Sequence, residues 1–150
     1  MDVDAILPEV EMTTIEADDS FWNAIDQTNA ELETSGLYLT HLFTDSQVIL
    51  RSGWLDEVVP IQLSGLLNLK LARPSTVDLI LTKMMRVDPQ DRADILFLVG
   101  ESSLDAQSLE GLASSARIPP IPEIREAFER NLQWLTGQLC GDQAERPQVD

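Results

Sequence analysis

The sequence predicts an α+β protein: a small mixed sheet covered by helices, followed by a mostly helical C-terminal half. Two alternating segments, one at the start and one near residue 40, indicate strands, and helical periodicity dominates after Pro74. In the first segment, DVDAIL, Asp2 and Asp4 share one side and apolar residues share the other, as in a strand with one buried face. Pro8 ends this predicted strand.

The next elements are one helix and a predicted hairpin. Ser20 is a suitable N-cap for a helix to about Thr34, and Gly36 is a suitable C-terminal stop. The segments LYLTHLF (37–43) and QVIL (47–50) predict two strands joined by a tight turn. The apolar run LSGLLNLKL (63–71) predicts a further strand.

Helices are predicted over most of the remaining chain. Ser75 begins a capping-box pattern, and Asp88 followed by proline begins a second helix. A shorter helix is predicted over 104–114, and the last helix begins at Pro122. The first of these helices has apolar residues at i, i+3, i+4, i+7 and i+8, namely Val77, Ile80, Leu81, Met84 and Met85.

Length and composition restrict the class of protein. The 150 residues, 43% of them hydrophobic, predict one domain over 1–140, with a disordered polar tail over 141–150. One cysteine and one histidine exclude a disulfide framework and a Cys/His zinc site. We expect a cytoplasmic protein without a membrane span, because no apolar run is long enough and no signal peptide opens the chain.

The charge is large and uneven. The formal net charge of −16 argues against non-specific binding to nucleic acids or anionic membranes, which needs a positive field. No Lys or Arg precedes Arg51, so the first 50 residues sum to −11. This asymmetry has two interpretations: a solvated acidic face, or an acidic metal- or partner-binding end that meets a cationic, phosphate-facing segment. Half of the cations lie in one window: Lys70, Arg73, Lys83, Arg86 and Arg92.

Asp2 and Asp4 are candidate metal ligands. Residues i and i+2 of a strand project from the same face, about 6.5–7 Å apart along the chain. Two carboxylates held in this way can share a divalent cation, and Mg²⁺ prefers such oxygen ligands together with substrate phosphates. The alternative is a solvated strand edge, because Asp-x-Asp is common in acidic chains.

The window around residue 85 contains further candidates, each with a structural alternative. Lys83 borders the apolar stripe, where it presents its ammonium either to a cleft or simply to solvent. Asp91 is expected to be partly buried, where it stabilises the first turn of its helix, pairs with Lys83 or Arg86, or acts in catalysis. His41 is expected to be a half-buried histidine on a strand.

Several of these segments resemble a known family. The run RPSTVDLILTKMMRVDPQDRADILFLV (73–99) is similar to a segment of bacterial nucleotidyltransferase-like proteins of uncharacterised function, distant relatives of abortive-infection toxins of toxin–antitoxin systems. FWNAIDQTNAELETSGLYLTHLF, followed by QVIL and WLDEVVPI, resembles the middle of the same family. The resemblance covers about 1–135, and its most specific part is the spacing of Lys83, Arg86, Asp91 and Asp94.

The resemblance implies the minimal nucleotidyltransferase fold and Mg²⁺-dependent transfer of a nucleotidyl group from a nucleoside triphosphate. Asp2 and Asp4 correspond to the Asp-x-Asp pair that holds the metal. Such chemistry depends mostly on positioning and on charge neutralisation by metal and cations. By the same resemblance, Lys83 and Arg86 are the cations that bind phosphate, and either Asp91 or Asp94 orients the lysine. The catalytic residues implied are Lys83, Asp91 and Asp94.

The chain also departs from the family pattern. The Gly-Gly or Gly-Ser turn expected before the Asp pair is absent, so we expect an N-terminally truncated domain. His41 lies where the family places a third acid. Two hypotheses follow: a nucleotidyltransferase-like enzyme or degenerate relative, and a non-catalytic acidic module that binds a protein partner in a toxin–antitoxin or defence system. The sheet edge left by truncation predicts a homodimer.

Overall fold

The computed structural model describes residues 2–62, 70–102 and 104–144, with the side chains of 2, 3, 40 and 142–144 excepted. The chain divides into two compact units, Met1–Val48 (unit 1) and Ile49–Asp150 (unit 2), and each is described by itself. The α+β class is confirmed. The single domain predicted over 1–140 stays a prediction.

Unit 1 is a strand–helix–helix–strand crossover, with strands β1 (Asp2–Leu7) and β2 (Tyr38–Thr44) and helices α1 (Glu9–Glu16) and α2 (Asp19–Leu32). The two strands pair in parallel, so the helices form the connection that parallel pairing requires. The predicted hairpin of 37–43 with 47–50 is therefore wrong. Alternation identified both strands, but pairing depends on contacts that the local pattern does not contain.

Side chains fix both ends of α2. Asp18, rather than Ser20, is the N-cap, and its carboxylate accepts a hydrogen bond of 2.9 Å from the backbone N–H of Ser20. A short 3-10 helix (Glu33–Ser35) follows α2 and ends at Gly36, whose φ of 66° favours glycine. Asn29 then joins α2 to β2, because its amide accepts from the N–H of Leu39 and donates to the carbonyl of the same residue.

Over its described residues, unit 2 contains short strands and four α-helices. Strand β3 pairs with β6 and strand β4 pairs with β5, both antiparallel, so the described strands of the whole chain form three two-stranded sheets rather than one mixed sheet. In chain order the elements are β3 (Leu50–Arg51), a 3-10 helix (Trp54–Glu57), β4 (Val59–Ile61), β5 (Leu71–Arg73), α3 (Thr76–Lys83), α4 (Pro89–Gly100), α5 (Ala106–Ser115), β6 (Ala116–Arg117) and α6 (Pro122–Ala144).

The helical prediction for the second half is confirmed, with small changes at the ends. Of the strand predicted over 63–71, residues 63–69 lie outside the described residues, and Leu71 begins β5. Helix α6 runs to Ala144, so the start of the predicted tail, 141–144, is helical instead. The remainder, 145–150, lies outside the described residues.

Helix starts follow the local capping signals. Ser75 caps α3 by accepting from the N–H of Asp78, as the capping-box pattern predicts. Asp88 caps α4 ahead of Pro89, and Asp105 caps α5 one residue beyond the predicted start of that helix. These signals are read correctly from sequence because they act within a few residues.

The buried core of unit 2 lies among its four helices and β3. Three of the five residues of the predicted stripe, Ile80, Leu81 and Met84, are fully buried, and Met85 packs against them in part. No helix in the described portion of the chain is long and apolar enough to cross a membrane. The buried cluster comprises Ile49, Ile80, Leu81, Met84, Ile95, Leu109, Phe128, Leu135 and Leu139.

A buried ion pair ties β3 to the start of α3. The Asp78 carboxylate is fully buried and accepts from the backbone N–H of Arg51 at 3.0 Å and from its guanidinium at 3.2 and 2.9 Å. Ser75 donates a further hydrogen bond of 2.7 Å, and the same guanidinium also contacts Glu57. Burial alone would raise the pKa of Asp78, but the hydrogen bonds from Arg51 and Ser75 outweigh it and hold that pKa below its usual value.

Replacing Asp78 tests this pair. We expect Asp78→Asn to lower the free energy of unfolding by about 2–4 kcal/mol, because the Arg51 guanidinium loses its buried counter-charge. Urea denaturation followed by circular dichroism measures the change. Asp56 is an exposed aspartate in the 3-10 helix that follows β3. Asp56→Asn is therefore the matched control, and it should leave the midpoint of urea denaturation unchanged. Equal midpoints for the two variants would show that the pair contributes no net stability.

Candidate functional site

The four residues of the predicted Lys–Arg–Asp–Asp spacing meet at the connection between α3 and α4. Lys83 is the last residue of α3, Arg86 lies in the connection, and Asp91 and Asp94 lie on α4. The Lys83 Nζ donates to Asp91 Oδ1 at 3.1 Å and to Asp94 Oδ2 at 2.7 Å. The Arg86 Nε donates to the other oxygen, Asp91 Oδ2. We call these four residues the lysine cluster.

The spacing of these residues explains why they meet. Asp91 and Asp94 are three positions apart on α4, so both carboxylates project from the same side of that helix. Lys83 ends the preceding helix and reaches both of them across the turn. The pairing of Asp91 with Lys83 or Arg86 was one alternative offered by the sequence, and the structure shows pairing with both.

The members of the cluster differ in their access to solvent. The Asp91 side chain is only 4% exposed, and both of its oxygens are used. The side chains of Lys83 and Asp94 are 35% and 36% exposed, and that of Arg86 is 75% exposed. Asp91 is therefore the fixed centre, whereas Lys83, Asp94 and Arg86 present part of their surface to ligands.

Hydrogen bonding favours the charged forms of three members of the cluster, Lys83, Asp91 and Asp94. Burial alone would raise the pKa of Asp91, but hydrogen bonds from Arg86 and Lys83 hold it below its usual value. Burial alone would lower the pKa of Lys83, but Asp94 and Asp91 raise it overall. Hydrogen bonds from Lys83 and Gln90 lower the pKa of Asp94. A lysine held protonated in this way suits the binding of an anion and not proton abstraction.

Asn131 on α6 completes the site and was missed by the sequence reasoning. Its buried amide donates to the carbonyls of Met84 at 3.2 Å and Arg86 at 2.9 Å. Its oxygen accepts from the Arg92 Nε at 3.1 Å, and that guanidinium lies 4.7 Å above the Trp134 ring. These bonds hold the backbone that carries Lys83 and Arg86.

A signal for Asn131 was present in the sequence. It lies three residues after Phe128 and four before Leu135, both of which are buried, so it occupies a position on the apolar stripe of α6. A polar residue at such a position needs a buried hydrogen-bond partner. The sequence does not reveal that the partners are carbonyls in the α3–α4 connection, 45 and 47 residues away.

The candidate metal ligands lie in unit 1. The Asp4 carboxylate is exposed, and its Oδ1 lies 3.2 Å from the Nδ1 of His41 on the neighbouring strand. The side chain of Asp2 lies outside the described residues, so magnesium binding by Asp2 and Asp4 stays a prediction. His41 is 64% exposed rather than half-buried as expected. Within the described side chains, no group of three or more His, Cys, Asp or Glu residues could hold a metal ion.

Comparison of the chain with protein-family models, curated proteins and solved structures gives no match. The nucleotidyltransferase resemblance therefore rests only on the residues quoted for it, and the activity that it implies is a proposal.

The lysine cluster predicts a defined pH dependence. Since the pKa of folded Asp91 lies below its unfolded value, its stabilising effect is present above an unfolded pKa of about 3.9 and is lost as the pH falls through the folded pKa. We expect Asp91→Asn to lower the free energy of unfolding at about pH 7 by about 1–3 kcal/mol. The difference from the wild type should shrink steadily below about pH 4.

Urea denaturation across this pH range measures the difference. Glu129→Gln, which removes an exposed carboxylate from α6, is the control and should show no such pH-dependent difference. A difference between wild type and Asp91→Asn that stays constant down to low pH would contradict the assignment, because it could not come from the charge of Asp91.

Proposed function

We propose that the chain is a cytoplasmic nucleotidyltransferase-like protein that binds the phosphates of a nucleoside triphosphate through Lys83 and Arg86. The observation that carries this proposal is the lysine cluster, in which a partly exposed ammonium is oriented by two carboxylates on α4. The resemblance of 73–99 to nucleotidyltransferase-like proteins supplies the substrate class. Lys83, Asp91 and Asp94 are the residues proposed to act in catalysis.

The charge balance of the cluster assigns different roles to its members. Two cations and two carboxylates sum to zero, so a phosphate has to replace one carboxylate partner. Asp94 is the more exposed partner of Lys83, and it exchanges more readily than the buried Asp91. Asp91 then keeps Lys83 and Arg86 in place while the ammonium turns to the phosphate oxygens.

A divalent metal completes the proposed activity. Asp2 and Asp4 are proposed to hold it, and the resemblance implies Mg²⁺. The exposed carboxylate of Asp4 is an oxygen ligand of the kind that Mg²⁺ prefers. When bound, such an ion neutralises charge on phosphate oxygens and favours in-line nucleotidyl transfer.

Replacing the two lysines of the chain one at a time tests the phosphate site. Lys83→Gln keeps a hydrogen-bond donor but removes the charge, so we expect it to weaken nucleotide binding at least about tenfold, equivalent to about 1.4 kcal/mol. Lys70→Gln is the matched control, because Lys70 is the other lysine of the chain and is exposed, and its affinity should equal that of the wild type. Isothermal titration calorimetry with each nucleoside triphosphate and Mg²⁺ measures both.

Two results would overturn the proposal. The first is the absence of heat from the wild type with every nucleoside triphosphate at millimolar concentration. The second is an equal loss of affinity in the two lysine variants, which would indicate a general effect of charge.

A non-catalytic interaction module is the second candidate, and the charge of unit 1 favours it. The first 48 residues contain eleven carboxylates and no Lys or Arg. Such a surface attracts a basic protein at long range, and a toxin–antitoxin or defence locus is the setting that the resemblance implies.

A defined cationic probe tests the second candidate. We expect the full chain to bind a fluorescent deca-lysine peptide in low salt and to release it as the Debye length falls from about 10 Å at 0.1 M to about 3 Å at 1 M salt. Changing the α1 residues Glu9, Glu11 and Glu16 to Gln should weaken binding more than changing Glu110, Glu123 and Glu129 of unit 2. Equal weakening by the two triple variants would show that net charge alone drives binding. That result would contradict a specific interaction surface on unit 1.

A further inference from the structure

We propose that Asp4 and His41 together bind a divalent metal of the class that accepts imidazole, such as Zn²⁺ or Ni²⁺, in preference to Mg²⁺. The inference rests on the metal part of the proposed function and changes the metal and one of the ligands named there. It rests on the contact between the two side chains, which no pattern in the sequence predicts.

The separation of the two ligand atoms fits one metal ion. The Asp4 Oδ1 and the His41 Nδ1 lie 3.2 Å apart. Two ligands with bonds of about 2.1 Å are separated by about 3.0 Å at a right angle and by about 3.4 Å at the tetrahedral angle. The observed separation is therefore compatible with one metal bonded to both atoms.

The backbone holds these two side chains together. Strands β1 and β2 are in parallel register, and the register shifts between Val3 and Asp4, so that His41 rather than Thr40 lies opposite Asp4. Such irregularities re-aim side chains and are common beside functional sites. The His41 ring also stacks on Phe43, with centroids 5.4 Å apart and planes 14° apart, which restricts its orientation.

The surroundings of the pair favour a cation. Both side chains are accessible, with 59% of Asp4 and 64% of His41 exposed. Unit 1 contains eleven carboxylates and no Lys or Arg side chain, which gives it a strongly negative field. This charge distribution is independent of the ligand geometry and points to the same kind of ligand.

The donor set determines the class of metal. Imidazole nitrogen is a good ligand for zinc, copper and nickel, whereas Mg²⁺ prefers oxygen ligands and loses its water reluctantly. Two protein ligands leave further coordination positions for water or for phosphate oxygens. A metal at this site is therefore open to a phosphate-bearing ligand.

The single histidine of the chain provides a direct probe, because His41 gives the one imidazole signal in the NMR spectrum. Metal-free, full-length protein is titrated with Zn²⁺, Ni²⁺ and Mg²⁺ in the absence of nucleotide. We expect Zn²⁺ to shift the imidazole signals and the paramagnetic Ni²⁺ to broaden them at micromolar to millimolar concentration, with Mg²⁺ much weaker. Asp4→Asn should weaken the response to Zn²⁺ at least about tenfold.

Asp26→Asn is the matched control, because it removes an exposed carboxylate from α2 of the same unit and should leave the response unchanged. Dispersed amide spectra for both variants establish that they fold. An imidazole signal that does not respond to millimolar Zn²⁺, an equal response to Mg²⁺, or equal effects of the two variants would each overturn the inference.

The outcome is separable from that of the proposed function. If His41 does not respond to metal but nucleotide binding still depends on Lys83, only the Asp4–His41 site is overturned. A clear His41 response to Zn²⁺ without any nucleotide binding supports the metal site and overturns the nucleotidyltransferase proposal.

Discussion

The buried carboxylate of Asp91 is the interaction on which the proposed site depends. A charged group shielded from water is tolerated only when opposite charges and hydrogen bonds surround it. Asp91 meets this requirement by accepting from Lys83 at the end of α3 and from Arg86 in the connection to α4. The same two bonds tie the end of α3 and the following connection to α4, and they help to orient the Lys83 ammonium. Stability and the proposed binding chemistry therefore share one group.

The polar interior of unit 2 extends this arrangement. Asn131 donates to the carbonyls of Met84 and Arg86 near the end of α3. Asp78 and Arg51 form a second buried pair at the other end of the same helix. Among the described residues, every buried side-chain nitrogen or oxygen has a hydrogen-bond partner. Helix α3 is thus fixed at both ends by polar contacts and along its length by the apolar core, which keeps the partly exposed Lys83 in a defined position.

Unit 1 has a different physical character. Among its described side chains from residue 4 to residue 47, apolar groups are half-buried at most. The parallel strand pair is held by main-chain hydrogen bonds and by the side chain of Asn29. It contains eleven carboxylates and no Lys or Arg, and its one histidine is His41. The lysine cluster suits an anion and the Asp4–His41 pair suits a cation.

The sequence by itself determined the features that act over a few residues. The strand at Asp2–Leu7, the caps at Ser75 and Asp88, the start of α6 at Pro122 and the α+β class were all predicted correctly, because alternation, capping and proline geometry are local. The spacing of the lysine cluster was also visible, since its members lie within one helix–turn–helix segment.

Only the tertiary structure decided which distant groups meet. It paired β2 with β1 in parallel instead of in the predicted hairpin, and so placed His41 beside Asp4, 37 residues away. It also brought Asn131 to the carbonyls of the α3–α4 connection. Partner choice of this kind follows from the register of strands and the packing of helices over the whole unit, and a local pattern of residue types contains neither.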